Sequence, residues 1–387
     1  MRKKVILMLS WRDIKNPLMG GAEVFTHEVL KRVNKDKYKI IHISPSVTGQ
    51  PNREMIDGVK YLRFGSLKSV IFYAFLYYRK HAKNIDIVID QCNTFRFFTK
   101  FWVPKNKRVF LIFQLCRELW DVMLKPPIST IGRIMETPML KLNSDDITIT
   151  ESLSVKKELI QIGFKEEKIH IDPIGLAFEP WEEKNFFPKE KEPTFIFVGR
   201  CVKTKGIDQI LEAFGRFKRE YKEGKLWIVG SVKEDMWPIM LPILEKHNLS
   251  YGKEIDKDVV YWGFVSEDKK LELQSRAKAL LFPSMREGWG MIVTEAAAVG
   301  TPSVVYNTTG CCDAVDYGSA GYLCMTNCID ELLAKMINIV ENEEEYEMFR
   351  KKSHAFSKEF SWNTSALIFE QIMDEVISRK DNKKNAK

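Results

Sequence analysis

Two successive runs of alternating strand and helix patterns constrain the fold of this chain more than any other feature. The first run predicts strands over 4–10, 38–44, 85–90, 109–115 and 146–150, separated by helices such as 22–33, 70–82 and 154–162. The strands' apolar stretches are mostly continuous, as in strands that are buried on both faces. This alternation predicts a parallel sheet with right-handed helical crossovers.

The alternation restarts after a polar, proline-bearing stretch, 178–193, which we interpret as an interdomain linker. The second run predicts strands over 195–199, 226–230, 259–264, 279–282 and 303–306, a helix over 207–221, and helical structure over 329–378 with a break near 360–363. A chain of 387 residues is long enough for two such domains. The sequence therefore predicts two doubly wound α/β domains, which bind ligands at the C-terminal ends of their strands.

Positive charge is concentrated in the first half of the chain. Residues 1–180 contain 30 Lys and Arg against 19 Asp and Glu, whereas residues 181–387 contain 30 against 33. This balance favours an anionic partner for the first half, namely a membrane surface, a phosphorylated acceptor or nucleic acid. Segments 95–108 and 73–83 mix aromatic rings with cations and predict contact with an anionic membrane surface, the alternative being a core segment with a solvated basic face. No groove-reading motif supports a nucleic-acid partner.

Targeting signals and metal-ligand patterns are not found in the sequence. The apolar run near the N-terminus is too short for a signal peptide, and the run over 70–78 is too short to span a bilayer. We therefore expect a cytoplasmic protein that can lie peripherally on the inner face of the membrane. The seven cysteines include one adjacent pair and form neither a disulfide framework nor a zinc site, so we expect free thiols and no metal.

Two loops after predicted first strands carry ligand-binding features. After the strand at 195–199, Arg200 and Lys205 lie five residues apart, just before a helix start at Gly206, which suits a diphosphate. After the strand at 4–10, Gly20 and Gly21 allow close approach of the backbone and leave N–H groups free for phosphate. Each loop taken alone could equally be an ordinary turn.

A third loop, 283–290, is the most informative. It follows the strand at 279–282 and contains Glu287, whereas Glu295 lies about one turn inside the helix predicted over 291–299. The two glycines of the loop place Glu287 before the helix. One carboxylate can then meet a sugar and the other a ribose, while the N–H groups around Gly290, Met291 and Ile292 face sugar and phosphate.

This Glu-x7-Glu pattern after Phe-Pro-Ser, followed by 296–302, resembles the donor-site signature of the retaining glycosyltransferase family 4, the glycosyl transferases group 1. The segments at Gly20–Gly21, 199–206 and 310–323 match in the expected order, so the resemblance covers nearly the whole chain. It implies the α/β fold called GT-B: two facing Rossmann-like domains with a central cleft and a C-terminal helix that crosses back to the N-terminal domain. The implied division is 1–177 plus 361–387 for the acceptor side, 178–193 as linker, and 194–360 for the nucleotide-sugar side.

The resemblance also implies roles for individual residues. Arg200 and Lys205 would neutralise the donor diphosphate and the charge that grows on the leaving group, and Glu287 would bind hydroxyls of the transferred sugar; these three are the predicted catalytic residues. The predicted donor-binding residues are Arg200 and Lys205 again, Gly20, Gly21, Ser231, Val265, Gly290, Met291, Ile292 and, for the ribose, Glu295. No cofactor and no metal are expected, and no protein nucleophile is implied.

The implied activity is transfer of a hexose or N-acetylhexosamine from a UDP-sugar, or secondly a GDP-sugar, to a glycan, lipid-linked or protein acceptor in polysaccharide or glycoconjugate synthesis. One position departs from the family pattern, because Phe113 stands where many relatives have a histidine. Arg117, Glu118 and Asp121 are polar candidates for the acceptor side. The alternatives are a catalytically idle partner subunit and a nucleotide-sugar epimerase or glycan phosphorylase; an epimerase lacks the Glu-x7-Glu pattern, and a phosphorylase needs a much longer chain.

Overall fold

The computed structural model describes residues 2–385, with side chains as far as Arg379. The chain forms two compact units. The first contains Met1–Trp120, Pro126–Gly175 and Ser361–Lys387, and the second contains Asp121–Lys125 and Leu176–Phe360. The C-terminal helix thus belongs to the first unit; residues 386 and 387 of the predicted acceptor-side domain lie outside the described residues.

The first unit is built on an eight-stranded sheet with the order β3-β4-β2-β1-β5-β6-β7-β8. All neighbouring strands are parallel except β3 and β4, which form an antiparallel pair at one edge. The strands are β1 Lys4–Leu9, β2 Tyr38–Ser44, β3 Arg53–Ile56, β4 Val59–Arg63, β5 Ile87–Cys92, β6 Arg108–Ile112, β7 Ile147–Thr150 and β8 Ile169–Ile171. The helices are α1 Gly21–Arg32, α2 Val70–His81, α4 Ile128–Lys141, α5 Leu153–Gln161 and, from the C-terminal end of the chain, α13 Trp362–Asn385; the short helix α3 Leu119–Met123 begins in the first unit and ends in the second.

The second unit is built on a seven-stranded parallel sheet with the order β11-β12-β10-β9-β13-β14-β15. Its strands are β9 Thr194–Val198, β10 Lys225–Val229, β11 Tyr251–Gly252, β12 Val259–Gly263, β13 Ala279–Phe282, β14 Ser303–Tyr306 and β15 Tyr322–Cys324. Its helices are α6 Ile207–Tyr221, α7 Trp237–Lys246, α8 Glu267–Arg276, α9 Met291–Ala298, α10 Cys311–Ala314, α11 Ile329–Glu341 and α12 Glu343–Ser357. All five residues of β9 are buried, as expected for a central parallel strand.

Strand order reverses direction once in each sheet, between β1 and β5 in the first and between β9 and β13 in the second. Ligands of open parallel sheets bind outside the carboxyl ends of the strands at such a switch point. The loops that leave β1, β9 and β13 include the three glycine-bearing segments in which the sequence predicts ligand binding. The topology therefore places each of these segments where its sheet favours a ligand.

The stretch 178–193, predicted to be a linker, instead packs as part of the second unit. The half-buried Lys189 donates hydrogen bonds of 2.6–3.0 Å from its ammonium to three backbone carbonyls and to the Thr301 hydroxyl. His354 donates from Nε2 to the carbonyl of Trp181 at 2.8 Å. Lys189 therefore bonds to backbone carbonyls of the second unit. Composition alone does not distinguish it from the exposed charged residues of the same stretch, Glu182, Glu183 and Lys184.

The segment 95–108 also differs from its interpretation as a membrane-facing surface. Arg108 is buried and donates to Asp146 at 2.7 Å, and Arg96 is buried against Asn143. Phe97 is fully buried, whereas Phe101 is 70% exposed. Both guanidinium groups and Phe97 therefore serve the core, whereas Phe95 is exposed like Phe101, at 57%.

No helix in the part of the chain that the structure describes is long and apolar enough to cross a membrane. All seven cysteines are free thiols, as predicted, and six of them are buried.

Candidate functional site

The first loop of the candidate site connects β9 to α6. Gly199 (φ 145°) follows the strand and Gly206 (φ 70°) precedes the helix, both in backbone conformations that favour glycine. A Cβ atom on Gly206 would lie 2.4 Å from the carbonyl oxygen of Pro283, so a side chain is also excluded by contact. The turn between the glycines holds Lys205 half-buried, whereas Arg200 is exposed and makes no ion pair with any residue that the structure describes.

Lys205 is paired with Glu287. The Lys205 ammonium donates to Oε1 of Glu287, and the Ser284 hydroxyl donates to the same oxygen at 2.5 Å. The ammonium also lies 5.3 Å from the centroid of the Phe282 ring. Because the side chains of Lys205 and Glu287 are 24% and 15% exposed, a ligand can reach both. The structure thus joins two of the three predicted catalytic residues on loops that leave neighbouring strands.

The loop that carries Glu287 is held on both sides by hydrogen bonds. The N–H of Met285 donates to the carbonyl of Thr204 at 2.9 Å, in the loop after β9. The N–H of Glu287 donates to the carbonyl of Thr309 at 3.0 Å, in the loop after β14. These bonds fix the position of Glu287 before any ligand arrives, as a preorganised site requires.

The helix α9 begins directly after this loop. Gly290 precedes it with φ 101°, a conformation that would strain any other residue. The preceding Trp289 is buried and donates from its indole nitrogen to the Thr294 hydroxyl at 2.9 Å, which fixes the entry of the chain into the helix. The first N–H groups of a helix have no partner within it and carry partial positive charge, so the amides of Met291 and Ile292 suit an anionic group.

Glu295 lies in α9 as predicted, but its carboxylate is paired with Lys270 of α8 at 2.8 Å. Burial raises the pKa of Glu295, and Lys270 opposes this shift. Burial alone would lower the pKa of Lys270, yet the carboxylates of Glu295 and Glu267 outweigh burial, so that pKa lies above its ordinary value. The sequence does not reveal Lys270 as a site residue, since it lies in a helix rich in Lys and Glu where no spacing distinguishes one lysine from the next.

The remaining nucleotide-side candidates lie just beyond β10 and β12. Ser231 is exposed, and its carbonyl accepts a hydrogen bond from the N–H of Cys201 at 2.8 Å. Val265 is half-buried and follows Phe264, whose side chain is 93% exposed. Both residues therefore lie at the carboxyl edge of the second sheet, which is also where Arg200 and Lys205 are found.

In the first unit, Gly20 and Gly21 connect the loop after β1 to α1. The N–H of Gly20 donates to Oε2 of Glu23 at 2.7 Å, and Arg12 holds the other oxygen of that carboxylate at 3.0 Å. The expectation of a free amide at Gly20 is therefore wrong in this structure, because Glu23 already occupies it. Gly21 is exposed at the first turn of the helix.

The candidate residues of the acceptor side differ in their burial and in their partners. Phe113 is 6% exposed, and its ring packs edge-to-face on Phe25 with centroids 5.4 Å apart, so it is a core residue here. The N–H of Arg117 donates to Glu136 at 2.8 Å and its guanidinium to Thr137 at 3.0 Å, both in α4. Glu118 is half-buried and Asp121 is exposed, so a ligand can reach either side chain.

Comparison with known proteins supports the resemblance. Residues 179–356 match the model of the family described as Glycosyl transferases group 1. This part of the chain is therefore similar to the group 1 glycosyltransferases. A glycogen synthase of Mycobacterium tuberculosis is 25% identical over 235 residues, which are 60% of this chain and 54% of that protein. The capsular polysaccharide biosynthesis glycosyltransferase CapM of Staphylococcus aureus is 25% identical over 62% of this chain and 65% of its own length.

Similar solved structures confirm the predicted GT-B fold. The sucrose-phosphate synthase of Thermosynechococcus elongatus superposes with a TM-score of 0.75 at 15% identity, covering 97% of this chain and all of its own. The HepE protein of Anabaena, solved with UDP-glucose, gives a TM-score of 0.69 at 14% identity over 97% and 99% of the two chains. The chain spans about half the length of the glycogen synthase that it matches.

Proposed function

We propose that this protein is a retaining glycosyltransferase that moves a hexose or N-acetylhexosamine from a nucleotide diphosphate sugar to a hydroxyl group. The donor is a UDP-sugar in preference to a GDP-sugar, and the acceptor is a glycan, a glycolipid or a protein. One observation carries the proposal: Lys205 and Glu287 are paired, beside the exposed Arg200, at the carboxyl ends of β9 and β13. A topological switch point thus presents cations for a diphosphate and a carboxylate for sugar hydroxyls.

The charges of the site suit a leaving diphosphate. In the reaction, the bond between the sugar's anomeric carbon and the donor's phosphate oxygen breaks, and negative charge grows on that oxygen. Arg200 and Lys205 stabilise this charge, together with the N–H groups at the start of α9, and preorganised charges of this kind usually contribute more to catalysis than any other single effect. Because these groups neutralise the diphosphate, we expect transfer to continue when divalent cations are chelated.

The carboxylates have binding roles in this proposal. Glu287 accepts hydrogen bonds from hydroxyls of the transferred sugar, and Glu295 accepts them from the ribose. The acceptor oxygen attacks the anomeric carbon on the face from which the diphosphate leaves, and its proton passes to the leaving phosphate oxygen. The anomeric configuration is retained without a nucleophile from the protein.

The names of similar proteins support a role in polysaccharide synthesis. The glycogen synthase and CapM carry polysaccharide roles in their names, and HepE was solved with UDP-glucose. A role of this chain in polysaccharide or glycoconjugate synthesis, with a UDP-sugar as donor, follows by analogy from those proteins.

The proposal is tested by calorimetry and hydrolysis assays with a panel of UDP-, GDP- and ADP-sugars. We expect one donor to bind and to be hydrolysed slowly without acceptor. The variant Lys205→Ala should reduce turnover about 100- to 1000-fold, the usual cost of removing one group that stabilises transition-state charge.

The matched control is Lys203→Ala, because Lys203 lies in the same turn but is exposed. Its turnover should stay close to that of the unaltered chain. Failure of every donor to bind would end the proposal. Binding without hydrolysis or transfer to any acceptor would instead favour the idle partner subunit, the alternative that the buried Phe113 at the usual histidine position leaves open.

A further inference from the structure

One side of the first unit's sheet is covered by both α2 and α4. Val70 and Ala74 of α2 belong to the same core cluster as Val88 of β5. Leu140 of α4 belongs to a second cluster, which includes Cys92 of β5. Val88 and Cys92 are four residues apart in one strand, so their side chains point to the same side of the sheet. The outer surfaces of α2 and α4 therefore lie on one side of the unit, and we call residues 67–83 and 128–141 the α2–α4 face.

The α4 part of this face exposes a continuous apolar stripe. Ile128, Ile131 and Ile134 are 60%, 58% and 67% exposed, and Met135 is 46% exposed. Residues three and four apart are neighbours on a helix surface, so these side chains adjoin one another. Single exposed apolar residues need no explanation, but an adjoining group of large ones marks a site of interaction.

The α2 part of the face has the same character. Leu67 and Phe72 are each 60% exposed, and Tyr73 and Leu76 are 42% and 44% exposed. The opposite side of α2 is buried, with Tyr78 packed against Trp102 at a centroid distance of 5.4 Å. The apolar side chains that α2 exposes therefore lie outside the core.

Charge on the α2–α4 face has a single sign. Six lysine and arginine residues lie within it, and all are exposed: Lys68, Arg79, Lys80, Lys83, Arg133 and Lys141. The only carboxylate in these two segments is Glu136, which is buried and accepts hydrogen bonds from the backbone N–H groups of Cys116 and Arg117. The face therefore combines large apolar side chains with cations and exposes no carboxylate of its own.

We propose that the α2–α4 face docks on an anionic lipid bilayer. Isoleucine, phenylalanine and leucine side chains enter the boundary between headgroups and acyl chains, while the lysine and arginine groups meet anionic headgroups. A second copy of the chain fits less well, because a two-fold symmetric contact places the same six cations opposite one another. The occupant that matches both the apolar surface and the charge is the bilayer.

This inference deepens the proposed function, since it presents the acceptor at a membrane. The docking itself depends only on the α2–α4 face and not on the donor site. The two proposals can therefore fail separately. A chain that binds vesicles but no nucleotide sugar refutes the transferase alone, and a chain that binds a donor but no vesicle refutes the docking alone.

The experiment is sedimentation of the full chain with vesicles of phosphatidylcholine alone or mixed with phosphatidylglycerol, at low and high salt. We expect binding to the anionic vesicles to be at least about tenfold stronger than to neutral ones. The variant Ile131→Glu with Ile134→Glu should weaken that binding about tenfold or more, because carboxylates oppose both the apolar and the ionic attraction. The variant Arg79→Glu with Lys80→Glu should weaken it similarly and remove part of its salt dependence.

The matched control is Met55→Glu with Leu367→Glu, two side chains of the first unit that are 64% and 62% exposed and lie outside the α2–α4 face. Its vesicle binding should match that of the unaltered chain. Equal binding by all variants overturns the proposal, as does equal affinity for neutral and anionic vesicles. A concentration-dependent dimer that the Ile131 and Ile134 changes dissolve, without vesicle binding, assigns the face to a second copy. Nucleotide-sugar affinity without vesicles checks that each variant is intact.

Discussion

Two ion pairs taken from each unit differ in their cationic partner. In the first unit, two buried carboxylates are paired with arginines: Arg108 with Asp146, at 6% and 0% exposure, and Arg63 with Asp13, both fully buried. In the second unit the two predicted donor-binding carboxylates are paired with lysines: Lys205 with Glu287 and Lys270 with Glu295, at 14–24% exposure. The first kind of pair is out of reach of solvent, and the second kind is open to a ligand.

The different chemistry of arginine and lysine suits the different solvent exposure of these ion pairs. An arginine presents a rigid planar fork that binds a carboxylate at two points, so Arg108 holds Asp146 through both Nε and Nη2. A lysine is a compact charge on a flexible stem, and it can exchange a protein carboxylate for a phosphate oxygen without leaving the site. We infer that arginine pairs stabilise the first unit, whereas lysine pairs hold the donor-side carboxylates in place until a ligand arrives.

The largest effect that tests this comparison is expected from Arg108→Met. Removing the guanidinium leaves Asp146 buried without a cation, which typically costs about 3–5 kcal/mol of unfolding free energy. Denaturant unfolding measures the loss, and calorimetry with the donor measures whether the site is affected. We expect the free energy of unfolding to fall and the donor affinity to stay the same.

An exposed arginine gives the control for this change. Arg379 is 51% exposed and pairs with Glu375 within α13, so Arg379→Met should alter stability by less than about 1 kcal/mol. Equal losses from the two changes would show that burial of the arginine pair contributes little. A fall in donor affinity with Arg108→Met would show that this pair is not purely structural.

Asp172 of the first unit differs from Asp146 and Asp13, because this fully buried carboxyl makes no ion pair among the described residues. Burial raises its pKa to about 8, although the Ser365 hydroxyl donates to it at 2.7 Å. Since the unfolded chain ionises near an ordinary pKa of about 4, stability is full below that pH and falls as pH rises towards 8. Asp172→Asn should therefore raise the free energy of unfolding by about 3 kcal/mol near pH 6 and by almost nothing near pH 4.

Thermal unfolding across this pH range measures the effect. Asp145→Asn serves as the control, because the pKa of that carboxyl is lowered and not raised. Asp145 is paired with Lys165, whose hydrogen bond lowers the pKa of that carboxyl. Its replacement should not stabilise the protein at high pH. If Asp172→Asn has the same effect at both ends of the range, Asp172 is not the group that titrates with folding.

Much of the fold could be predicted from the sequence, because its strands are buried and its periodicity is strong. β2, β13 and β14, together with α6, have the predicted bounds. The prediction missed the β3–β4 pair, the edge strands β8, β11 and β15, and α4. Helix α4 presents apolar residues outward, and an outward apolar stripe carries no signal that distinguishes it from a buried one.

The candidate site was predictable where backbone geometry requires particular residues. Glycines mark the loops at Gly206 and Gly290, and Gly290 places Glu287 before α9 and Glu295 within it. The partners of these carboxylates were not predictable, because Lys270 meets Glu295 only through the packing of α8 on α9. The contact of Gly20 and Gly21 with donor phosphates stays a prediction.

A smaller effect, on turnover, is expected when Lys205 is replaced by arginine, which creates an arginine–glutamate pair in the second unit. Lys205→Arg keeps the positive charge but lets a planar fork bind Glu287 at two points, so release of the carboxylate to a sugar becomes harder. We expect turnover to fall about 10- to 100-fold while nucleotide affinity changes little. Steady-state hydrolysis of the donor and calorimetry with UDP separate the two quantities, and Lys203→Arg in the same turn serves as control. Unchanged turnover would mean that Lys205 need not exchange partners.

The smallest effect concerns Lys270. Burial already raises the pKa of Glu295, and removal of the lysine in Lys270→Met raises it further. A smaller fraction of the carboxylate is then ionised at a given pH, so the ribose hydroxyls donate less often to a charged acceptor. We expect UDP to bind about three- to tenfold more weakly and the difference to shrink as the pH is raised, because a higher pH favours the ionised carboxylate.

Two comparisons separate this positioning role from a structural one. Lys269→Met removes the neighbouring lysine, which is paired with Glu272 and not with Glu295, so its UDP affinity should equal that of the unaltered chain. A UDP analogue without ribose hydroxyls should bind the unaltered chain and the Lys270→Met variant equally, because it makes no use of the carboxylate. If Lys270→Met weakens binding of the analogue as much as binding of UDP, then Lys270 supports the packing of α8 on α9 and not the ribose contact. The Lys270–Glu295 pair would then stabilise the second unit in the way that the arginine pairs stabilise the first.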